Sequence, residues 1–192
     1  MSSAVSLERI ENSLVIRFVR PEIRNPLSVE VVEYITSIVE ELDPSVGRVI
    51  FTGTSEVFAA GADLREIDKV SVEEVKEFAL RGQRLMNAVN ALPDTVAAIN
   101  GFCFGGALDL ALSCRRRIAV ATAEFCHPGV GLGIITGWGG TQRLPRLVGE
   151  TAALEMFMTA RRVSAEDALR IGLIDEVTND PVMAAVVQDQ YV

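Results

Sequence analysis

The chain is poor in the residues that build disulfide frameworks, metal centres and polyanion-binding surfaces. It has three cysteines, Cys103, Cys114 and Cys126. An odd number at irregular spacing in apolar surroundings excludes a disulfide scaffold and reads as free buried thiols in a reducing compartment. A single histidine, His127, and the lack of any Cys-x-x-Cys leave out the usual zinc patterns, so no metal is expected. Basic residues are outnumbered, 18 Lys and Arg against 26 Asp and Glu, for a net charge of −8. Neither nucleic acid nor an anionic membrane is therefore expected as a partner. Residues 1–8 have no basic region followed by an apolar stretch, so they do not read as a secretory signal. The apolar run over residues 96–114 contains Gly101-x-x-x-Gly105, but Asn100 and Asp109 interrupt it and glycines sit at its centre. It divides into a strand, a turn and a short helix, and not into a membrane span. A cytoplasmic location is the resulting expectation.

What the chain does have is a pair of glycine-rich segments, each placed after an apolar run that reads as a buried strand. The first covers residues 58–64, with Ala60, Gly61, Ala62, Asp63 and Leu64; the second covers residues 100–109, with Gly105 and Gly106. Small residues at a strand end leave backbone N–H groups open to a ligand. Two such turns facing one another would hold a carbonyl oxygen that becomes negative during reaction, which is an oxyanion hole.

The remaining pattern alternates strands and helices. Residues 6–9 and 13–18 read as short strands, and residues 20–26 as a loop that Pro21 and Pro26 keep from being helical. Residues 28–42 read as a helix with Val31, Ile35, Ile38 and Leu42 on one face, and residues 46–51 as a buried strand. Residues 71–92 read as a long helix opened by a Ser71/Glu74 capping box, with Val72, Val75, Phe78, Leu85, Val89 and Leu92 as its apolar stripe. Strands follow at 95–99, 117–121 and 173–177, helices at 151–159 and 164–171, and a glycine-rich loop at 127–140. With 192 residues and no linker or repeat, this order predicts a single α/β domain with a mostly parallel sheet and helical crossovers.

Several side chains are candidates for chemistry. Gly105 and Gly106 lie where a helix begins, and its unpaired N–H groups and dipole favour an anion. Asp109 follows Gly106 by about one helical turn, so an acid near an apolar pocket would have a raised pKa suited to proton transfer. Asp63 would cap the turn that follows it. His127 reads as structural more often than catalytic, and Trp138 as core more often than pocket wall. The Gly131-x-Gly133 element lacks the setting of a dinucleotide site. Tyr34 and Tyr191 carry no usable signal.

Four stretches resemble the crotonase family, also called the enoyl-CoA hydratase/isomerase family: residues 20–27, 58–64, 100–109 and 139–146, with a similar ending over residues 171–177. The resemblance spans nearly the whole chain in the same order. It implies the crotonase-like (ClpP/crotonase) fold of repeated β-β-α units, acyl-CoA thioester ligands, CoA only as part of the substrate with no separate cofactor, and a homotrimer or hexamer. It further implies that the N–H groups of Ala62 and Gly106 form the oxyanion hole, that Arg24, Ala60, Asp63 and Leu64 contact CoA, and that Gly105 and Gly129 border the substrate.

The sequence departs from that family at places that matter. Family hydratases use two glutamates to hold a water and move its protons. The first position is Asp109 here, one methylene shorter, which moves the carboxylate by about 1.5 Å. The second is Gly129, the position single-glutamate isomerases of the family commonly use. Arg115 stands where an aspartate is usual. Family members also carry a further C-terminal helical segment that covers the CoA pocket; this domain, residues 1–192, is expected to lack most of it. The expected activity is that of an enoyl-CoA hydratase/isomerase-type enzyme, a lyase or isomerase of fatty acid metabolism, that stabilises a thioester enolate with Asp109 as acid or base. The alternatives are a malonyl-type acyl-CoA decarboxylase and a non-catalytic CoA-thioester binding or assembly subunit.

Overall fold

Three times the chain runs along one sheet, turns, runs along a second sheet, and then becomes helical. The computed structural model describes residues 3–187; Tyr191 lies outside them. An antiparallel hairpin comes first, β1 (Val5–Ile10) and β2 (Ser13–Phe18), turned at Glu11 in the left-handed region with φ 54°. Helix α1 (Val29–Glu40) follows, where the Ser28 hydroxyl caps the Val31 N–H at 3.3 Å. The first unit is β3 (Arg48–Thr52), β4 (Val57–Ala59), then α2 (Leu64–Ile67) and α3 (Val75–Ala91). The second is β5 (Thr95–Ile99), β6 (Phe102–Phe104) and α4 (Gly106–Ser113). The third is β7 (Arg116–Ala119), β8 (Glu124–Cys126) and α5 (Gly140–Val148). Then come α6 (Glu150–Thr159), β9 (Val163–Ser164), α7 (Ala165–Arg170), β10 (Glu176–Val177) and α8 (Pro181–Val187).

The large sheet has the order β1-β2-β3-β5-β7-β10, parallel throughout except for the first hairpin. The small sheet has the order β4-β6-β8-β9. This is the mixed α/β architecture with parallel sheets that the sequence led us to expect. The expected residues extend or shorten locally. The strand at 46–51 begins only at Arg48, because the Gly47 N–H is bonded to the Asn12 carbonyl. The strand at 173–177 keeps only Glu176–Val177, because Leu173 and Ile174 donate to the Ala168 carbonyl at the end of α7.

Passage between the sheets explains the Asn100-Gly101 pair. The Asn100 side chain accepts from the Gly53 N–H at 2.9 Å and donates to the Ser55 carbonyl at 2.7 Å, tying two crossover turns together. A Cβ on Gly101 would run into the Glu56 carbonyl, and one on Gly53 into the Val57 carbonyl. These backbones touch, so only glycine fits.

The expected 71–92 helix is shorter at its start. The capping box does form, with Ser71 and Glu74 each accepting from the other's N–H at 3.3 and 3.1 Å, but the regular helix begins at Val75. Its apolar stripe divides in two. Leu85, Met86 and Val89 are buried in the core, whereas Val72 is 85% exposed and Val75 56% exposed. The core lies between the large sheet and the helices, with Phe18 and Phe58 meeting edge to face at 5.7 Å. The three cysteines are free and buried. No helix among the described residues is long and apolar enough to cross a membrane.

Candidate active site

The two glycine segments meet. The first turn leaves β4 at Ala59 and passes through Gly61, whose φ of 90° favours glycine. A Cβ there would also stand 2.7 Å from both the Gly106 nitrogen and the Phe104 carbonyl oxygen. The second turn leaves β6 at Phe104 and enters α4 through Gly105, at φ 55°. The Gly105 N–H is used, donating to the Cys126 carbonyl at 2.8 Å. Among the described residues, neither the Ala62 nor the Gly106 N–H is spent on a backbone acceptor. Both residues border one cavity of about 210 Å³.

That cavity collects most of the expected site residues. Ala60, Ala62, Leu64, Gly105, Gly106 and Gly129 border it, together with His127 and Trp138. Its walls are largely apolar: Val75 and Phe78 come from the exposed half of the α3 stripe, and Leu132, Ile134 and Ile135 from the loop after β8. Arg24 and Asp63 are not among its walls. Arg24 is exposed, left-handed at φ 66°, and holds the Ala60 N–H through its carbonyl at 3.0 Å. Asp63 caps α2, accepting from the Arg65 N–H at 2.9 Å, and pairs with the Arg65 guanidinium at 2.6 Å. The Arg65 side chain holds the Asp63 carboxyl below its ordinary pKa.

Trp138 is both core and wall. It is 5% exposed, and its ring is wedged between α3 and α4. A Cβ on Gly82 would collide with the indole, and one on Gly106 would stand 2.5 Å from it. The lack of side chains at these two positions is therefore what admits the ring.

Asp109 is fully buried and is not among the walls of the cavity. The Thr136 hydroxyl donates to its Oδ2. Its Oδ1 has no hydrogen-bond partner, and His127 Nε2, 3.7 Å from it, is likewise unpartnered. Burial raises the Asp109 pKa from 3.8 to about 7, opposed by the Thr136 hydroxyl, Arg143 and the N–H groups of Trp138 and Gly140. Burial lowers the His127 pKa from 6.5 to about 4, so this ring is neutral near pH 7. It packs on Phe157 with ring centroids 5.0 Å apart.

Gly129, the second expected carboxylate position, sits at the start of a 3₁₀ turn, and its carbonyl accepts the Ile134 N–H at 3.0 Å. A Cβ there would stand 2.5 Å from the Ile134 carbonyl oxygen. Sequence reasoning did not single out Thr136. Its signal lies 27 residues from Asp109 and needs the loop after β8 to fold back over α4.

Comparison with known proteins identifies the family and the fold. The profile of the family described as Enoyl-CoA hydratase/isomerase matches residues 8–190. A crotonyl-CoA hydratase of Syntrophomonas wolfei is 40% identical over 179 residues, covering 90% of this chain and 68% of that protein. Among solved structures, an enoyl-CoA hydratase from Bacillus anthracis superposes with a TM-score of 0.88 at 35% identity, over 97% of this chain and 74% of that one. Another from Thermoplasma volcanium superposes with a TM-score of 0.92 at 28% identity, over 98% and 77%. The chain spans about two thirds of the length of the S. wolfei hydratase. With the family profile and these likenesses in agreement, the chain belongs to the enoyl-CoA hydratase/isomerase, or crotonase, family of acyl-CoA enzymes.

Proposed function

We propose that this chain is a hydratase-type enzyme acting on a CoA thioester. The thioester carbonyl accepts hydrogen bonds from the N–H groups of Ala62 and Gly106, and these donors stabilise the enolate that forms when the α carbon exchanges its proton. The observation that carries this reading is the convergence of two strand-end turns with open N–H groups on one apolar cavity. Each such donor contributes about 3–4 kcal/mol of transition-state stabilisation in well-studied acyl-transfer sites. The apolar walls suit an acyl chain, while Ala60 and Leu64 at the rim, with Arg24 and Asp63 beside them, suit the CoA end.

Asp109 is the acid or base. A carboxyl with a pKa of about 7 exists in both protonation states near neutral pH, which is where a group that must both take and give a proton works best. Gly129 has no side chain, so a second carboxylate is not part of this mechanism. No cofactor beyond the CoA of the substrate is needed. We further place the protein in the cytoplasm as a homotrimer or hexamer, in line with its family.

The test is hydration of a short trans-2-enoyl-CoA by the wild type and by Asp109→Asn. Turnover that falls by about 100-fold or more in the variant supports a one-aspartate hydratase. Turnover indifferent to the change removes Asp109 from the mechanism. The position of Asp109 behind the cavity wall favours one second reading, loss of CO₂ from a malonyl-type thioester, which the two N–H donors would assist without any acid. Hydration absent and CO₂ release present, in both proteins, would establish it; tight thioester binding with neither reaction would mark a non-catalytic subunit.

A further inference from the structure

Asp109 lies behind the wall of the cavity. It is fully buried, and it is not among the walls of the cavity that Ala62 and Gly106 border. One side chain spans the gap. Thr136 is half-buried, borders that cavity, and donates its hydroxyl to Asp109 Oδ2. From these positions we infer that Thr136 is a catalytic residue of this site, relaying the proton between the α carbon of the bound thioester and Asp109. This inference rests on the proposed acyl-CoA chemistry.

A hydroxyl suits the task because it donates and accepts at once. In the direction of enolate formation, the α C–H bond breaks and its proton goes to Thr136 Oγ1, while the hydroxyl proton already aimed at Asp109 passes to Oδ2. The electron pair of the C–H bond stays on the substrate as the enolate, and Asp109 becomes a neutral acid. Thr136 ends as a hydroxyl, unchanged. Hydration runs the same path with water as the first donor. Water oxygen bonds to the β carbon, its proton passes through Thr136 to Asp109, and the proton then returns through Thr136 to the α carbon.

The other neighbour of Asp109 is less suited. His127 also borders the cavity, but its Nε2 stands 3.7 Å from Oδ1, beyond hydrogen-bond reach. Burial has also made the ring a weak base. The remaining titratable or charged groups that act on Asp109 are Arg143 from α5 and the buried thiol of Cys103 from β6. Arg143 donates to the Trp138 carbonyl and to Asn87, and burial raises the Cys103 pKa well above its ordinary value. Neither competes for the proton near pH 7.

The experiment compares Thr136→Val and Thr136→Ser with the wild type. Two quantities are read: the kcat and KM for hydration of a short trans-2-enoyl-CoA, and the titration of the Asp109 carboxyl by infrared difference spectroscopy, with Asp109→Asn identifying its band. In Thr136→Val we expect kcat to fall about 100-fold with KM within about threefold, the range of a lost proton-transfer group. The Asp109 midpoint should rise above the wild-type value, because the hydrogen bond that favours the carboxylate is gone. Thr136→Ser should restore both. A Thr136→Val enzyme with wild-type kcat overturns the relay, and so does an unmoved Asp109 midpoint or a Thr136→Ser enzyme as impaired as Thr136→Val. A wild type that hydrates no thioester, together with a midpoint that rises in Thr136→Val, overturns the hydratase reading while the Thr136–Asp109 hydrogen bond stands.

Discussion

The two halves of this site are built from different materials. On the proposed reading the carbonyl-binding half is backbone, two N–H groups in tightly packed turns, whereas the proton-handling half is side chain, with Asp109 and Thr136 behind and along the wall and no side chain at Gly129. The backbone half cannot vary without refolding the turns. The side-chain half can, and it is where this chain departs from the two-glutamate pattern.

The sharpest way to break this comparison is at the turns. Gly61→Ala would place a Cβ 2.7 Å from the Gly106 nitrogen, at a φ of 90°, and force the two donors apart. We expect kcat for enoyl-CoA hydration to fall by about 10²–10³-fold, the cost of one lost donor. Gly105→Ala is the control. It meets nothing nearer than 3.9 Å, so its cost is the positive-φ backbone alone, about 1–3 kcal/mol of stability and little of kcat.

The side-chain half is probed by pH. Asp109, with its pKa raised to about 7, keeps a proton in the native state that the unfolded chain gives up from about pH 4. Its contribution to stability is present at low pH and lost as pH rises through about 7. His127, with its pKa lowered to about 4, does the opposite: the unfolded chain binds a proton below about 6.5 that the native state refuses until about 4. Its contribution is lost as pH falls through that window. The two slopes oppose each other, each on the order of 3–4 kcal/mol across the whole window. Denaturant unfolding of the wild type should therefore vary little between pH 4 and 7. Asp109→Asn should lose stability on acidification, and His127→Gln should lose it on alkalinisation. A wild type with a steep slope, or variants with parallel slopes, would show that these groups are not titrating as buried neighbours.

The smallest effect concerns Gly129. Restoring the family glutamate with Gly129→Glu should not restore two-carboxylate hydration, because its Cβ would stand 2.5 Å from the Ile134 carbonyl oxygen. Overpacking of this kind costs about 1–3 kcal/mol, read as a lower melting temperature. A rise in kcat would show that the loop yields more readily than its packing suggests.

What was legible in the sequence follows the same division. Gly61 and Gly105 were readable as turn glycines because a positive φ is a local demand, whereas the demand at Gly106 comes from the distant Trp138 ring. Helix α1 was readable from its 3.6-residue apolar period; its Ser28 cap appears only in the structure. The small sheet was not, since Val57–Ala59, Phe102–Phe104 and Glu124–Cys126 are too short to show any alternation. The period of α3 was right but its consequence was not: the same stripe that enters the core at Leu85 becomes cavity wall at Phe78 and Val75 and is open to solvent at Val72. The spacing from Gly106 to Asp109 placed the acid one turn into α4 and suggested that it faces the ligand. Its actual seclusion depends on Thr136, a loop residue whose approach no local pattern encodes.

Trp138 is the only tryptophan in the chain, and it stands against Gly106 on one side and Gly82 on the other. The whole ultraviolet emission of indole from this protein thus originates at a single point beside the paired glycine turns. The molecule carries its own optical gauge of what occupies that cavity, free of the averaging over several fluorophores that blurs such signals in most proteins of this size.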